Sequence, residues 1–345
     1  MTFYTRRNFL TGTALALGTA AVTQNVSAVQ KISAAETDKP VLKFQNGRFR
    51  ILQMTDLHTA YNDPREVAQS EMTVVKIREL LAKEKPDLAV VTGDIVTSGV
   101  DLLPGGLEAA WENITRPFDE ARVPFVITFG NHDHERDATM AEQLAMIARA
   151  EMNLTYSADP THPGAGTCSL PVFGADGSET ARLWFFDSHS SPTIEGIEGY
   201  AWIRNEQIQW YRAESAAAAA RAGHPVPGLA FFHIPVPEYR KVHQTDAATG
   251  SAGEPVAAPE LNSGLFTAMI ERGDILGIFV GHDHVNDYAA LYKGIALVYG
   301  RKTGFGSYGD LERGGRIIEL TEGKIGFETY VSTPLREEPR WSYWK

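Results

Sequence analysis

Asp56-Leu57-His58, Gly93-Asp94, Gly130-Asn131-His132-Asp133, His233 and His282-Asp283-His284 each follow an apolar, strand-like run. Imidazoles, carboxylates and an amide oxygen, with no thiolate among them, suit Mn, Fe or Zn rather than a structural cysteine zinc site. Asp56 and His58 stand two apart, as do His282 and His284. On an extended chain such pairs project from one face and can reach one ion. The candidate ligands are Asp56, His58, Asp94, Asn131, His233, His282 and His284. They are too many for one tetrahedral ion and suit two ions that share a carboxylate. Two metals about 3.5 to 4 Å apart can clamp a phosphoryl group and generate hydroxide between them.

Something must hold these short stretches together. Phe49 to Met54, Asp87 to Thr92 and Val123 to Phe129 read as buried strands. Between them, Glu66 to Lys83 and Leu107 to Arg122 have helical spacing, and Pro86 stops the first helix. Strand, helix, strand repeated in this way implies a parallel sheet with right-handed crossovers. Ligands then gather at the carboxyl ends of the strands. A helix is expected over Glu135 to Glu151, and another over Glu206 to Ala222. Cys168 to Phe173, Leu183 to Asp187, Leu229 to Phe232 and Leu276 to Val280 read as strands, and Leu265 to Arg272 as a short helix. Tyr288 to Tyr292, Ile295 to Tyr299, Arg316 to Leu320 and Ile325 to Val331 look more antiparallel. The tail from Glu338 to Lys345 shows no pattern.

The five motifs, in this order, resemble those of the calcineurin-like metallophosphoesterases over residues 51 to 284. Phe231-Phe-His-Ile-Pro-Val-Pro-Glu238 and Gly281-His-Asp-His-Val-Asn-Asp287 are most similar to the purple-acid-phosphatase-29-like branch. The resemblance implies an α/β fold, a four-layer αββα sandwich with mixed parallel and antiparallel sheets. It implies a first metal on Asp56, His58, Asp94 and His284, and a second on Asp94, Asn131, His233 and His282. It also implies that His132 faces the substrate, stabilises developing charge and protonates the leaving oxygen, and that Asp133 orients His132. Purple acid phosphatases carry a Tyr three positions after the bridging Asp, where this chain has Thr97, and Asp-x-Gly where this chain has Asp-x-His58. Ferric iron and a purple colour are therefore not implied. The function expected is a phosphoesterase that cleaves mono- or diesters by hydroxide attack at two divalent or trivalent ions. A nucleotide phosphodiesterase or nucleotidase, and a metal-binding protein without catalysis, are the alternatives.

The chain has 345 residues, 22% of them charged, and a net charge of −11. Wrapping nucleic acid needs a basic stripe, so the partner expected is a small phosphorylated substrate. Arg6-Arg7, a mild apolar run and Val26-Ser27-Ala28 suggest a twin-arginine-type signal over 1–28, followed by a linker over 29–40 and the catalytic domain over 41–345. The apolar run is shorter than the about 20 residues that span a bilayer. The expectation is a bacterial periplasmic or secreted protein, handled by the twin-arginine machinery without stable membrane insertion. Cys168 is the one cysteine and reads as a small buried apolar residue. His189 reads as a surface residue, and Arg301 and Lys302 as solvated loop charges. Thr245 to Ser263 reads as a long loop or mobile flap near His233, and it is expected to shape the pocket together with Gly300 to Gly309.

Overall fold

The computed structural model of the chain describes residues 39–335 and 339–345. The signal expected over 1–28 and nearly all of the expected linker lie outside the described residues. Strands β1 (Arg48–Met54), β3 (Leu88–Thr92) and β5 (Phe125–Thr128) pair in parallel. They lie between layers and are covered on both faces, which is why they read as apolar runs. Strands β12 (Gly315–Thr321), β13 (Gly326–Ser332) and β14 (Trp341–Trp344) extend this sheet antiparallel from β1. The order is β14-β13-β12-β1-β3-β5.

The second sheet has the order β10-β11-β9-β8-β7-β6. Its strands are β6 (Cys168–Phe173), β7 (Glu179–Phe185), β8 (Gly228–Phe231), β9 (Ile275–Val280), β10 (Ala289–Tyr292) and β11 (Ile295–Tyr299). The inner strands β7, β8, β9 and β11 are parallel, and both edges pair antiparallel. A short parallel pair, β2 (Thr59–Ala60) and β4 (Val96–Ser98), sits beyond the ends of β1 and β3.

Period-two alternation sorts each strand between two cores. Leu88 and Val90 of β3 share a core with Phe185, Phe231 and Phe279 of the other sheet. Ala89 and Val91 share another with Ile77 and Leu80 of α1 (Pro64–Glu84) and with Trp111 and Phe118 of α2 (Gly106–Ala121). On the far side Ala230, Ile278 and Val280 pack with Tyr211 of α4 (Asn205–Ala222) and with Leu265 and Met269 of α5 (Leu265–Arg272). The result is helix, sheet, sheet, helix, the four-layer sandwich expected. Phe185, Phe231 and Phe279 stack at 5.5 and 5.2 Å across the inner sheet face. Each such buried ring contributes about 1.5 to 3 kcal/mol. Cys168 lies in the same core, where burial pushes its thiol up to about 12.

Local chemistry sets the ends of the elements. Asp63 caps α1 by accepting from the amides of Arg65 and Glu66, Pro64 opens it, and Lys85 closes it in a left-handed conformation. A cap of this kind is worth about 1 kcal/mol. The helix expected over Glu135 to Glu151 is shorter. A tight turn occupies His132–Glu135, and α3 runs from Met140 to Ile147. Thr139 and Glu142 form a capping box, which starts the helix there rather than at Glu135. The patternless tail forms β14, because the alternating Trp341 and Tyr343 lie over the Phe327 side of the sheet. No described helix is long and apolar enough to cross a membrane.

Candidate metal centre

The carboxyl ends of β1, β3, β5, β8 and β9 converge on one edge of the sandwich. The Asp56 amide donates to the Gly93 carbonyl and the His58 amide to the Asp94 carbonyl, so the first two motif loops are tied together. Asp56, His58, Asp94 and His282 all adopt left-handed backbone conformations, with φ of 53°, 44°, 52° and 79°. Such conformations at non-glycine residues cost of order 1 to 3 kcal/mol each and persist only where the surroundings enforce them. Gly130 and Gly281 are the close approaches. A Cβ on Gly130 would overlap the Asp94 backbone and carboxylate, and one on Gly281 would overlap Thr55 Oγ1.

Two clusters result. In the first, the ligand atoms of Asp56, His58, Asp94 and His284 all lie within 4.8 Å of one another. His284 Nε2 is 3.3 Å from Asp56 Oδ1, His58 Nε2 is 3.5 Å from Asp94 Oδ2, and the two Nε2 atoms are 3.0 Å apart. In the second, Asp94, His233 and His282 meet the same criterion. His233 Nε2 is 3.2 Å from Asp94 Oδ2 and 3.2 Å from His282 Nδ1. Asp94 belongs to both clusters. Its other oxygen accepts from the His132 amide at 2.9 Å, which ties the third motif to the second.

Several observations show that these residues fit metal ions. His233 Nδ1 lies 2.8 Å from the Thr92 carbonyl and His284 Nδ1 3.1 Å from the Tyr308 carbonyl. A carbonyl only accepts, so each Nδ1 is the donor and each ring turns its Nε2 into the cluster. Metal-binding histidines are oriented in this way. Burial, opposed by the Asp56 hydrogen bond, lowers His58 to about 4, and burial with the charge of His233 lowers His282 to about 3. Both rings are therefore neutral and available as ligands at neutral pH. Burial works against ionisation of Asp56 and Asp94, but the charges of His284 and His233, respectively, win and hold both carboxyls below the usual range. Burial would lower His233, yet the Asp94 carboxylate pushes it up to about 10, so a positive charge is favoured at this spot. Among the described residues, Asn131 Oδ1 is buried without a hydrogen-bond partner, as befits a ligand atom.

His132 stands apart from the clusters. Its ring is 5.4 Å from that of His58, and its side chain is 40% exposed. It borders a cleft of about 330 Å³ together with His58, Thr97, Glu135, Arg136 and Gly306. Asp133 does not have the orienting role expected of it. Its carboxylate accepts from the amides of Ile95, Val96 and Gly130, which holds the β3 and β5 loops in register. Glu135 meets the His132 ring instead, at 2.9 Å from Nδ1. The i, i+3 spacing in the tight turn was the signal for it, hidden by the expectation of a regular helix.

Other expectations are also corrected. Arg301 and Lys302 are buried, not solvated. Arg301 Nε pairs with Asp287 at 2.7 Å, and Lys302 Nζ donates to the Asp56 carbonyl from behind the first cluster. Burial lowers Lys302 to about 7 against the pull of Asp56. His189 is half-buried and forms a third group with His134 and Asp187. The 245–263 stretch is pinned rather than free. Glu254 accepts from the Val285 amide and the Tyr308 hydroxyl, and Ala258 accepts from Arg240. A Cβ on Gly304 would overlap the Leu57 carbonyl and one on Gly306 the His58 carbonyl, so the 300–309 loop does border the site.

The chain belongs to the calcineurin-like phosphoesterase family, whose profile matches residues 49–286. Its relatives lie in the purple-acid-phosphatase-29-like branch. It is 33% identical to "Probable inactive purple acid phosphatase 29" of Arabidopsis thaliana over 84% of this chain and 81% of that protein. It is 30% identical to "Phosphatase DCR2" of Saccharomyces cerevisiae over 70% of this chain and 45% of that one. A dimetal phosphatase from Danio rerio shares the fold, with a TM-score of 0.58 at 11% identity, covering 86% of this chain and 98% of the other. The chain is accordingly a hydrolase of phosphoric ester bonds with a site for two metal ions. The expectation of a bacterial periplasmic or secreted protein is overturned, since these relatives come from a plant and a yeast. A paired arginine before a mild apolar run is too short a signal to fix a compartment, and it falls outside the described residues.

Proposed function

We propose that the chain hydrolyses small phosphate mono- or diesters at two ions drawn from Mn, Fe and Zn. Asp56, His58, Asp94 and His284 would hold one ion, and Asp94, Asn131, His233 and His282 the other. The observation that carries this reading is that Asp94 belongs to both clusters. When bound, the ions supply Lewis acidity and an activated water. The chain does the rest. Asp94 and Asp56 balance the cations, Thr92 and Tyr308 hold the imidazoles, and His132 delivers a proton to the leaving oxygen at the cleft. Thr97 stands where a ferric-binding tyrosine would be and donates to the Thr59 carbonyl, so no tyrosinate colour is expected.

The label "inactive" on the Arabidopsis relative favours a second reading, metal binding without turnover. His132 at the open cleft, and a ligand set with no gap, support activity instead. Phosphate release from an aryl monoester, and phenol release from an aryl diester, would be followed with chelator and then with added Mn²⁺. The expected result is turnover of at least one ester class, abolished by chelation and restored by metal. No turnover of either ester by metal-saturated protein would overturn the proposal.

A further inference from the structure

Asp187-Ser188-His189 follows β7 with the same spacing that Asp56-Leu57-His58 shows after β1. The likeness extends to the backbone, since His189, like His58, has a left-handed conformation, with φ of 62°. His134, from the turn after β5, completes the group. One ligand atom from each of His134, Asp187 and His189 lies within 4.8 Å of the others. The group shares no residue with the two clusters that contain Asp94.

The hydrogen bonds leave one side of this group unsatisfied. Asp187 Oδ1 is 3.0 Å from His134 Nε2 and accepts from the His189 amide at 2.8 Å. Among the described residues, Asp187 Oδ2 is buried and has no hydrogen-bond partner. It faces His189 Nδ1 at 3.8 Å, too far for a hydrogen bond. Gln207 determines which way the His189 ring is protonated. Its Oε1 accepts from the Arg204 amide at 2.7 Å, and its Nε2 donates to Thr167 Oγ1 and the Asp187 carbonyl, both at 2.9 Å. The amide orientation is therefore fixed, and His189 Nε2, 3.0 Å from Gln207 Oε1, must be the donor. In the neutral ring Nδ1 is then a lone pair. A lone pair and a buried carboxylate oxygen face each other across a gap of the size a small cation spans, since Zn–N and Zn–O bonds are about 2.0 to 2.2 Å. The His134 side chain is 19% exposed, which opens the group to solvent.

We infer that His134, Asp187 and His189 form a third, mononuclear site for a divalent transition-metal ion. Two imidazoles and a carboxylate suit Zn²⁺ and leave an open position for water, the Nε2 proton that His134 shares with Asp187 Oδ1 being released to solvent as the ion binds. The ion would join the turn that carries His132 to the end of β7, next to β8 and His233. Its place is structural support of the proposed dinuclear centre, with no ligand in common.

The test is Zn²⁺ stoichiometry by equilibrium dialysis and metal analysis. The wild type is expected to hold one equivalent more than the His134→Gln/His189→Gly double variant. Asp94→Asn, which touches only the dinuclear centre, is expected to keep that equivalent. Equal zinc in wild type and double variant would overturn the third site, whatever Asp94→Asn does. Should the double variant not fold, anomalous scattering at the zinc edge from wild-type crystals grown with saturating Zn²⁺ decides the question. A peak between His134 Nε2, Asp187 Oδ2 and His189 Nδ1 supports the site, and none there overturns it.

Discussion

Asp94→Asn is expected to weaken both halves of the dinuclear centre together and to slow ester hydrolysis by roughly 10³-fold or more. The Asp94 carboxylate faces His58 on one side and His233 on the other. An amide is close to isosteric and keeps an oxygen for the His132 amide, so the fold should survive. It loses the negative charge that would balance two cations. Metal clamping of a phosphoryl group is worth several kcal/mol, and each 1.36 kcal/mol is about tenfold in rate. Metal analysis and steady-state turnover of the purified variant are the measurements. Two retained equivalents at this centre with wild-type turnover would remove Asp94 from the shared position. The single-ligand control is His58→Ala, which touches only the first cluster.

His132→Ala is expected to keep its metal and lose about 10² to 10⁴ in rate, the range for a positioned general acid. Its ring lies outside both clusters and is partly exposed, so its removal leaves neither a core cavity nor a broken ligand set. The loss should depend on the leaving group. A nitrophenolate departs without a proton and its ester should suffer less. An alkoxide needs the proton and its ester should suffer more. Glu135→Gln should show a smaller loss of the same pattern, because Glu135 meets the His132 ring at Nδ1. The comparison is kcat for an aryl and an alkyl phosphate on metal-replete protein. Equal losses for the two esters would contradict the general-acid role.

Much of this site is legible in the sequence, for a physical reason. Parallel strands buried on both faces announce themselves as apolar runs, and each run ends in a polar motif that serves no core. The convergence of Asp56, His58, Asp94, His233, His282 and His284 follows from strand ends meeting on one edge. What the sequence hides is the choice among polar partners at short range. Asp133 sits beside His132 in sequence, yet three backbone amides claim its carboxylate, and a tight turn brings Glu135 to the ring. Lys302 looks like a loop charge because its burial depends on the Asp56 loop packing over it. The third group stayed hidden because His134 follows a strand of one sheet while Asp187 and His189 follow a strand of the other, and each alone reads as an ordinary polar residue.

The central claim is that two ions share Asp94 in a working phosphoesterase. Electron paramagnetic resonance of the Mn²⁺-loaded, active protein tests it most directly, since two ions on a common carboxylate are magnetically coupled. The account predicts an exchange-coupled dimanganese signal that rises with activity as metal is added and disappears in Asp94→Asn. A fully active protein that shows only uncoupled Mn²⁺ would contradict it.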